Sequence, residues 1–183
     1  MAKRTGTISA LMIMLAMALP AQAGGCEATG FVTNAGKAFM AAANRKSPAA
    51  FSGAAARYAD LNSIALFALG PYRKDLAASQ RAEYLNLARG YMGRFLAKYS
   101  SRLNGTGLTV TDCKGSSNSL LVNTRFSGGQ KVIFRLAKGK GGYRVQDVNV
   151  SSVWLAQLMR TKFTGILRKN GGEMSALFRF LKG

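Results

Sequence analysis

Histidine is absent from the 183 residues. That removes Ser-His-Asp and Cys-His catalytic arrangements and nearly all zinc hydrolase sites, which use imidazole as base or ligand. Acidic residues are scarce too, seven in all: Glu27, Asp60, Asp75, Glu83, Asp112, Asp147 and Glu173. No two of them stand three or four positions apart, so no helix face carries paired carboxylates for acid–base work. No cluster of oxygen ligands is present to cage calcium or magnesium. Proline occurs three times, cysteine twice and tryptophan once. Gly139-Lys140-Gly141-Gly142 lacks the frame of a phosphate-binding loop and joins two apolar alternations, so it reads as a hairpin turn. With this machinery missing, composition favours a binding protein over an enzyme.

What is present begins with a basic start and an apolar run. Lys3 and Arg4 precede the uncharged stretch Ile8 to Leu19, then Pro20 and the small-x-small triplet Ala21-Gln22-Ala23. This pattern reads as a secretory signal peptide over residues 1–23, cleaved near Ala23. The run is too short to span a bilayer about 30 Å thick, although a retained anchor is the alternative. Residues 24–183 are then a single domain, exported to the periplasm of a Gram-negative-type cell. No later stretch approaches the roughly 18 apolar residues of a membrane span.

The exported compartment is oxidising, so Cys26 and Cys113 are expected to form one disulfide closing a long loop. Two buried free thiols are the alternative. Charge is lopsided, with 26 Lys and Arg against 7 Asp and Glu. Without Lys3 and Arg4 the exported chain stays near +17. Such a field attracts polyanions. Export argues against nucleic acid as that partner, and anionic lipid surfaces remain.

Hydrophobic period divides the rest. Helices are expected over Thr29 to Lys46, from Ser47-Pro48 to about Arg57, over Leu61 to Leu69 behind an Asp60 cap, and from Ser79 to about Arg102. From Gly107 the period drops to two. Leu108 to Asp112, Leu120 to Phe126, Val132 to Leu136 and Tyr143 to Val150 read as four antiparallel strands joined by short Gly-rich turns. Tyr143 and Val145 share one face, but Val148 and Val150 fall on the other, so a bulge is expected at Gln146-Asp147. Ser151 or Ser152 is expected to cap a long helix starting at Val153, and a last short helix carries Met174 to Leu181. Segregated helices and strands indicate an α+β domain. A curved sheet with helices laid on it would be a cone, packed or hollow.

The C-terminal block narrows this further. Tyr143-Arg144-Val145-Gln146-Asp147-Val148-Asn149-Val150 is followed by Val153-Trp154-Leu155 and then by Arg160-Thr161-Lys162-Phe163-Thr164-Gly165-Ile166-Leu167-Arg168-Lys169-Asn170-Gly171-Gly172. This succession resembles the MlaC / toluene-tolerance family of periplasmic phospholipid-binding proteins. Ile64 to Arg73 and the Tyr84 to Tyr99 helix match the family's earlier patterns in the same order. Ser152 stands where the family usually has Gly, and Trp154 where it has Ser.

The resemblance implies a twisted four-stranded antiparallel sheet under a shell of about six helices, an NTF2-like cone with an apolar cavity. It implies a lipid carrier without enzymatic activity and without a cofactor. The cargo is phospholipid, shuttled as a monomer between an outer-membrane lipoprotein-porin complex and an inner-membrane ABC transporter complex. A hopanoid-type cargo and an NTF2-like cavity enzyme are the alternatives, the latter with Asp147 as its one candidate acid. The residues expected to line the cavity are Phe67, Leu69, Tyr84, Leu87, Tyr91, Phe95, Val132, Phe134, Val148, Val150, Val153, Leu155, Phe163 and Ile166. Arg73, Arg160, Arg168 and Lys169 are expected at the rim or a docking surface.

Overall fold

The computed structural model describes residues 26–103 and 106–183. The leader expected over residues 1–23 lies outside them. The elements run α1 (Thr29–Arg45), α2 (Pro48–Tyr58), α3 (Leu61–Ala68), α4 (Arg81–Lys98), β1 (Leu108–Ser116), β2 (Ser119–Phe126), β3 (Lys131–Gly139), β4 (Gly142–Val150), β5 (Val153–Trp154), α5 (Leu155–Lys169) and α6 (Met174–Lys182), with short 3₁₀ segments at Gly70–Asp75, Ala78–Gln80 and Ser100–Leu103.

Helix starts follow local chemistry. The Ser47 hydroxyl accepts the Ala50 amide at 3.2 Å, with Pro48 at the first helical position. The Asp60 carboxylate accepts the Ser63 amide at 3.0 Å. Each satisfies an amide that the first helical turn leaves unpaired. Among the described residues no helix is long and apolar enough to cross a membrane.

The sheet is antiparallel in the order β1-β2-β3-β4-β5. It therefore has five strands where four were expected. The fifth arises because Ser151 and Ser152 take φ of 51° and 66°, a left-handed turn that folds the chain back. Val153 then pairs with Val150 and Trp154 with Asn149. The helix expected to start at Val153 behind a serine cap starts instead at Leu155. Its second amide, that of Ala156, is taken by the side chain of Asp147.

Two large cores and a smaller cluster of Ala42, Ala43 and Phe51 share the described residues. Leu120, Val122, Phe126, Val132, Phe134, Leu136 and Val145 line one sheet face and pack against Val32 and Met40 of α1. The α1 backbone comes close to β1 at Gly36, where an added Cβ would stand 2.8 Å from Leu108 Cδ1. The second core is helical. Leu66, Leu69, Tyr84, Phe163, Leu167, Leu177 and Leu181 join α3, α4, α5 and α6. Tyr84 is fully buried there, and its hydroxyl donates to the Ala65 carbonyl at 2.5 Å.

Cys26 and Cys113 are disulfide-bonded, with Cα atoms 5.7 Å apart and 87 positions between them in sequence. The bridge ties the start of the described chain to β1. Replacing both cysteines with serine is expected to cost about 2–4 kcal/mol by freeing a long loop in the unfolded chain. A shift of the urea midpoint to lower concentration, with an unchanged circular dichroism spectrum, is the readout.

Candidate functional site

A pocket of about 440 Å³ lies between the apolar face of the sheet and the helices. β3 contributes Val132 and Phe134. β4 contributes Val145, Asp147, Val148 and Val150. Alternation along an uninterrupted strand would put Val148 and Val150 on the opposite face from Val145. The ladder instead pairs Leu136 with Val145 and Arg135 with Asp147, leaving Gln146 as an extra residue. This bulge, at the position the alternation indicated, turns all three valines inward.

The helical side is equally apolar. α4 presents Met92, Phe95, Leu96 and Tyr99, spaced three or four apart as one helical face requires. α5 presents Leu155, Ala156, Leu158 and Met159, and α1 presents Phe39. Ala55, Ala59, Leu61 and Ile64 line the pocket where α2 meets α3. Ala59 bridges to Val145 there, so that region lies at the Val145 end of β4. At the other end, Tyr99, Val153 and Leu158 are 38%, 44% and 37% exposed. They form the mouth with Ser151.

Among the described residues, Asp147 is the one carboxylate in the lining. It is only 7% exposed. One oxygen accepts the amides of Val148 and Ala156, each at 2.8 Å. Burial raises its pKa, while these amides and the nearby Arg135 charge pull the other way. Its geometry is that of a cap joining the β4 bulge to the start of α5. Among the described residues, no Lys or Arg lines the pocket. Among the described residues no cluster of three His, Cys, Asp or Glu side chains gathers.

The structure sorts the expected site residues into two groups. Phe95, Val132, Phe134, Val148, Val150, Val153 and Leu155 come together around the pocket. Leu69, Tyr84 and Phe163 are buried in the helical core, with Leu87, Tyr91 and Ile166 packed against it. Phe67 is exposed, and the Arg160 guanidinium lies 4.8 Å over its ring. Arg73 sits exposed in the 3₁₀ segment after α3, and Arg168 and Lys169 are exposed at the end of α5. Sequence reasoning missed Phe39, Ile64, Met92, Leu96, Tyr99, Leu158 and Met159. For α4 the apolar stripe through 84, 88, 91, 95 and 99 continues without a break, and only 92 and 96, to one side of it, mark the pocket-facing edge.

A family model described as "MlaC protein" matches residues 33–182. Among solved structures, the chain is similar to a phospholipid-binding protein from Ralstonia solanacearum, solved in complex with a phospholipid. The two are 17% identical, with a TM-score of 0.73 over 86% of this chain and 96% of that one. That likeness shows the fold. No curated protein gives a significant match.

The Asp147 cap leads to a prediction with a pH sign. Asp147→Ala is expected to destabilise by about 1–2 kcal/mol through loss of an acceptor for two amides, and Asp147→Asn by less. The folded state holds the Asp147 proton more tightly than the unfolded chain, whose carboxyl titrates near about 3.9. Between those two values the folded state binds more protons, so this group's contribution falls as pH rises. Urea midpoints taken from pH 4 upward should show wild type losing ground relative to Asp147→Asn. A flat difference would refute the assignment.

Proposed function

Because the chain belongs to the MlaC family, we propose that it is a lipid carrier that shelters phospholipid acyl tails in the pocket between sheet and helices. The observation that carries this is the lining itself, aliphatic and aromatic throughout apart from the Asp147 cap and the polar groups at the mouth. A tail gains about 0.8 kcal/mol per methylene withdrawn from water. Ten methylenes therefore supply about 8 kcal/mol, which corresponds to micromolar binding. The pocket volume falls in the usual range for ligand sites, about 300–1,000 Å³. The Ralstonia relative, whose fold this chain shares, holds a phospholipid, which supports the same cargo class here.

On this reading the chain is a monomer of the periplasm, exported by its first 23 residues. It moves phospholipid between an outer-membrane lipoprotein-porin complex and an inner-membrane ABC transporter complex. The sheet and helices act as the two sides of an NTF2-like cone. Arg73, Arg160, Arg168 and Lys169 lie away from the pocket lining, and we assign them to protein docking, not to the cargo. The six expected residues of the helical core, Leu69, Tyr84, Leu87, Tyr91, Phe163 and Ile166, hold the outer wall of the cone in place. No catalytic step is assigned, since the Asp147 carboxylate is engaged by the backbone amides of Val148 and Ala156.

Native mass spectrometry tests the reading. Wild type purified from a bacterial host is expected to carry a phospholipid mass, released on denaturation. Val148→Trp puts an indole into the space from a half-buried strand position and is expected to cut the loaded fraction several-fold with little change in melting temperature. Wild type that is stable and empty in every preparation would sink the carrier assignment.

A further inference from the structure

The exposed large apolar side chains are not scattered. Among the described residues there are four: Phe67, Tyr99, Val153 and Leu158. Phe67 is covered on one face by Arg160. The other three all line the pocket, at its mouth, from three different elements: the end of α4, β5 and the first turn of α5. A folded monomer tolerates single exposed apolar groups, but their convergence on one rim marks a contact surface.

Cations flank that rim. Lys98 is exposed next to Tyr99. Lys162 lies one helical turn beyond Leu158, exposed, with its ammonium 5.5 Å from the Phe180 ring of α6. Lys131 and Arg125 pair at the same end of the sheet, but they alternate with Val132 and Phe126 of the lining and so leave from the opposite face of the sheet. Gln130 beside Lys131 donates to the Ser151 hydroxyl in the mouth turn. Acidic side chains lie elsewhere. Glu27 is bound to Lys138 and Tyr143 by the far end of β4. Asp60 caps α3. Glu83 opens α4, while Tyr99 ends it, roughly 25 Å away along an 18-residue helix. Asp112 pairs with Lys114 in β1. Glu173 stands before α6 and Asp75 ends the 3₁₀ segment after α3. Asp147 is buried beneath the mouth, on backbone amides.

We propose that the pocket mouth is a docking surface for an anionic lipid bilayer, with Tyr99, Val153 and Leu158 entering the headgroup region and the exposed Lys98 and Lys162 beside them meeting anionic headgroups. Apolar groups at the centre with lysines beside them match the layering of a bilayer interface. Each cation near such a surface contributes about 1 kcal/mol, falling off within a Debye length. The consequence is direct exchange: a tail passes between bilayer and pocket without crossing water, because the mouth itself is the contact. This rests on the carrier reading and adds a partner to it.

Flotation with vesicles tests it. The purified protein is expected to float with phosphatidylcholine vesicles that contain phosphatidylglycerol, less with phosphatidylcholine alone, and not at high salt. Trp154, the sole tryptophan, follows Val153 and should shift its emission to the blue on binding. Val153→Ser with Leu158→Ser, both at exposed positions, should weaken binding about tenfold. Lys98→Glu with Lys162→Glu should weaken it more than tenfold. Retained phospholipid mass in the same variants would show that the carrier reading stands independently. If wild type ignores phosphatidylglycerol vesicles at low salt, or if both double variants bind as wild type does, the proposal is overturned. In that case the apolar collar belongs to a protein partner.

Discussion

The Asp147 carboxylate joins the two halves of this molecule. On one side it closes the bulge of β4 by accepting the amide of Val148, and on the other it caps α5 through Ala156. The bulge turns Val148 and Val150 inward. The cap sets where α5 starts, and so where Leu155, Leu158 and Met159 stand. One buried carboxylate thus positions the sheet wall and the helical wall of the pocket together. Its desolvation outweighs the pull of the two amides and the Arg135 charge, so its proton is held more tightly than in water.

The two cores stay distinct because they close on different partners. α1 covers the sheet, and α3 to α6 pack on one another through Tyr84, Phe163 and Leu177. The space between them is left apolar and open. In a filled core, side chains would meet across such a gap at close-packed density. Here the lining residues leave about 440 Å³ between them, which accords with the binding role proposed above.

The excess of cations does little for the fold itself. The ion pairs seen among the described residues, Asp112 with Lys114, Glu27 with Lys138 and Glu83 with Lys182, are all exposed. Such pairs contribute about 0–1 kcal/mol each. The remaining positive charge therefore acts outward, on whatever the protein approaches.

Much of the architecture is written in short-range order. The four long strands, the helix starts at Ser47 and Asp60, and the bulge beside Asp147 follow from alternation and capping, which act over a few residues. The short β5 was not legible, because serine at Ser151 and Ser152 gives no advance sign of a left-handed turn that glycine would have signalled. The pocket was legible only in part. Periodicity says which face of α4 or α5 is apolar, and so it grouped Tyr84, Tyr91 and Phe163 with Phe95. It is silent on what that face meets. Tyr84 and Phe95 share a helix, yet one is sealed against α3 and α6 and the other faces a void. By itself the sequence determined composition, charge, element types and the α+β class. Only the tertiary structure decided which apolar faces close on each other and which stay apart, because that depends on the distances between elements far apart in the chain.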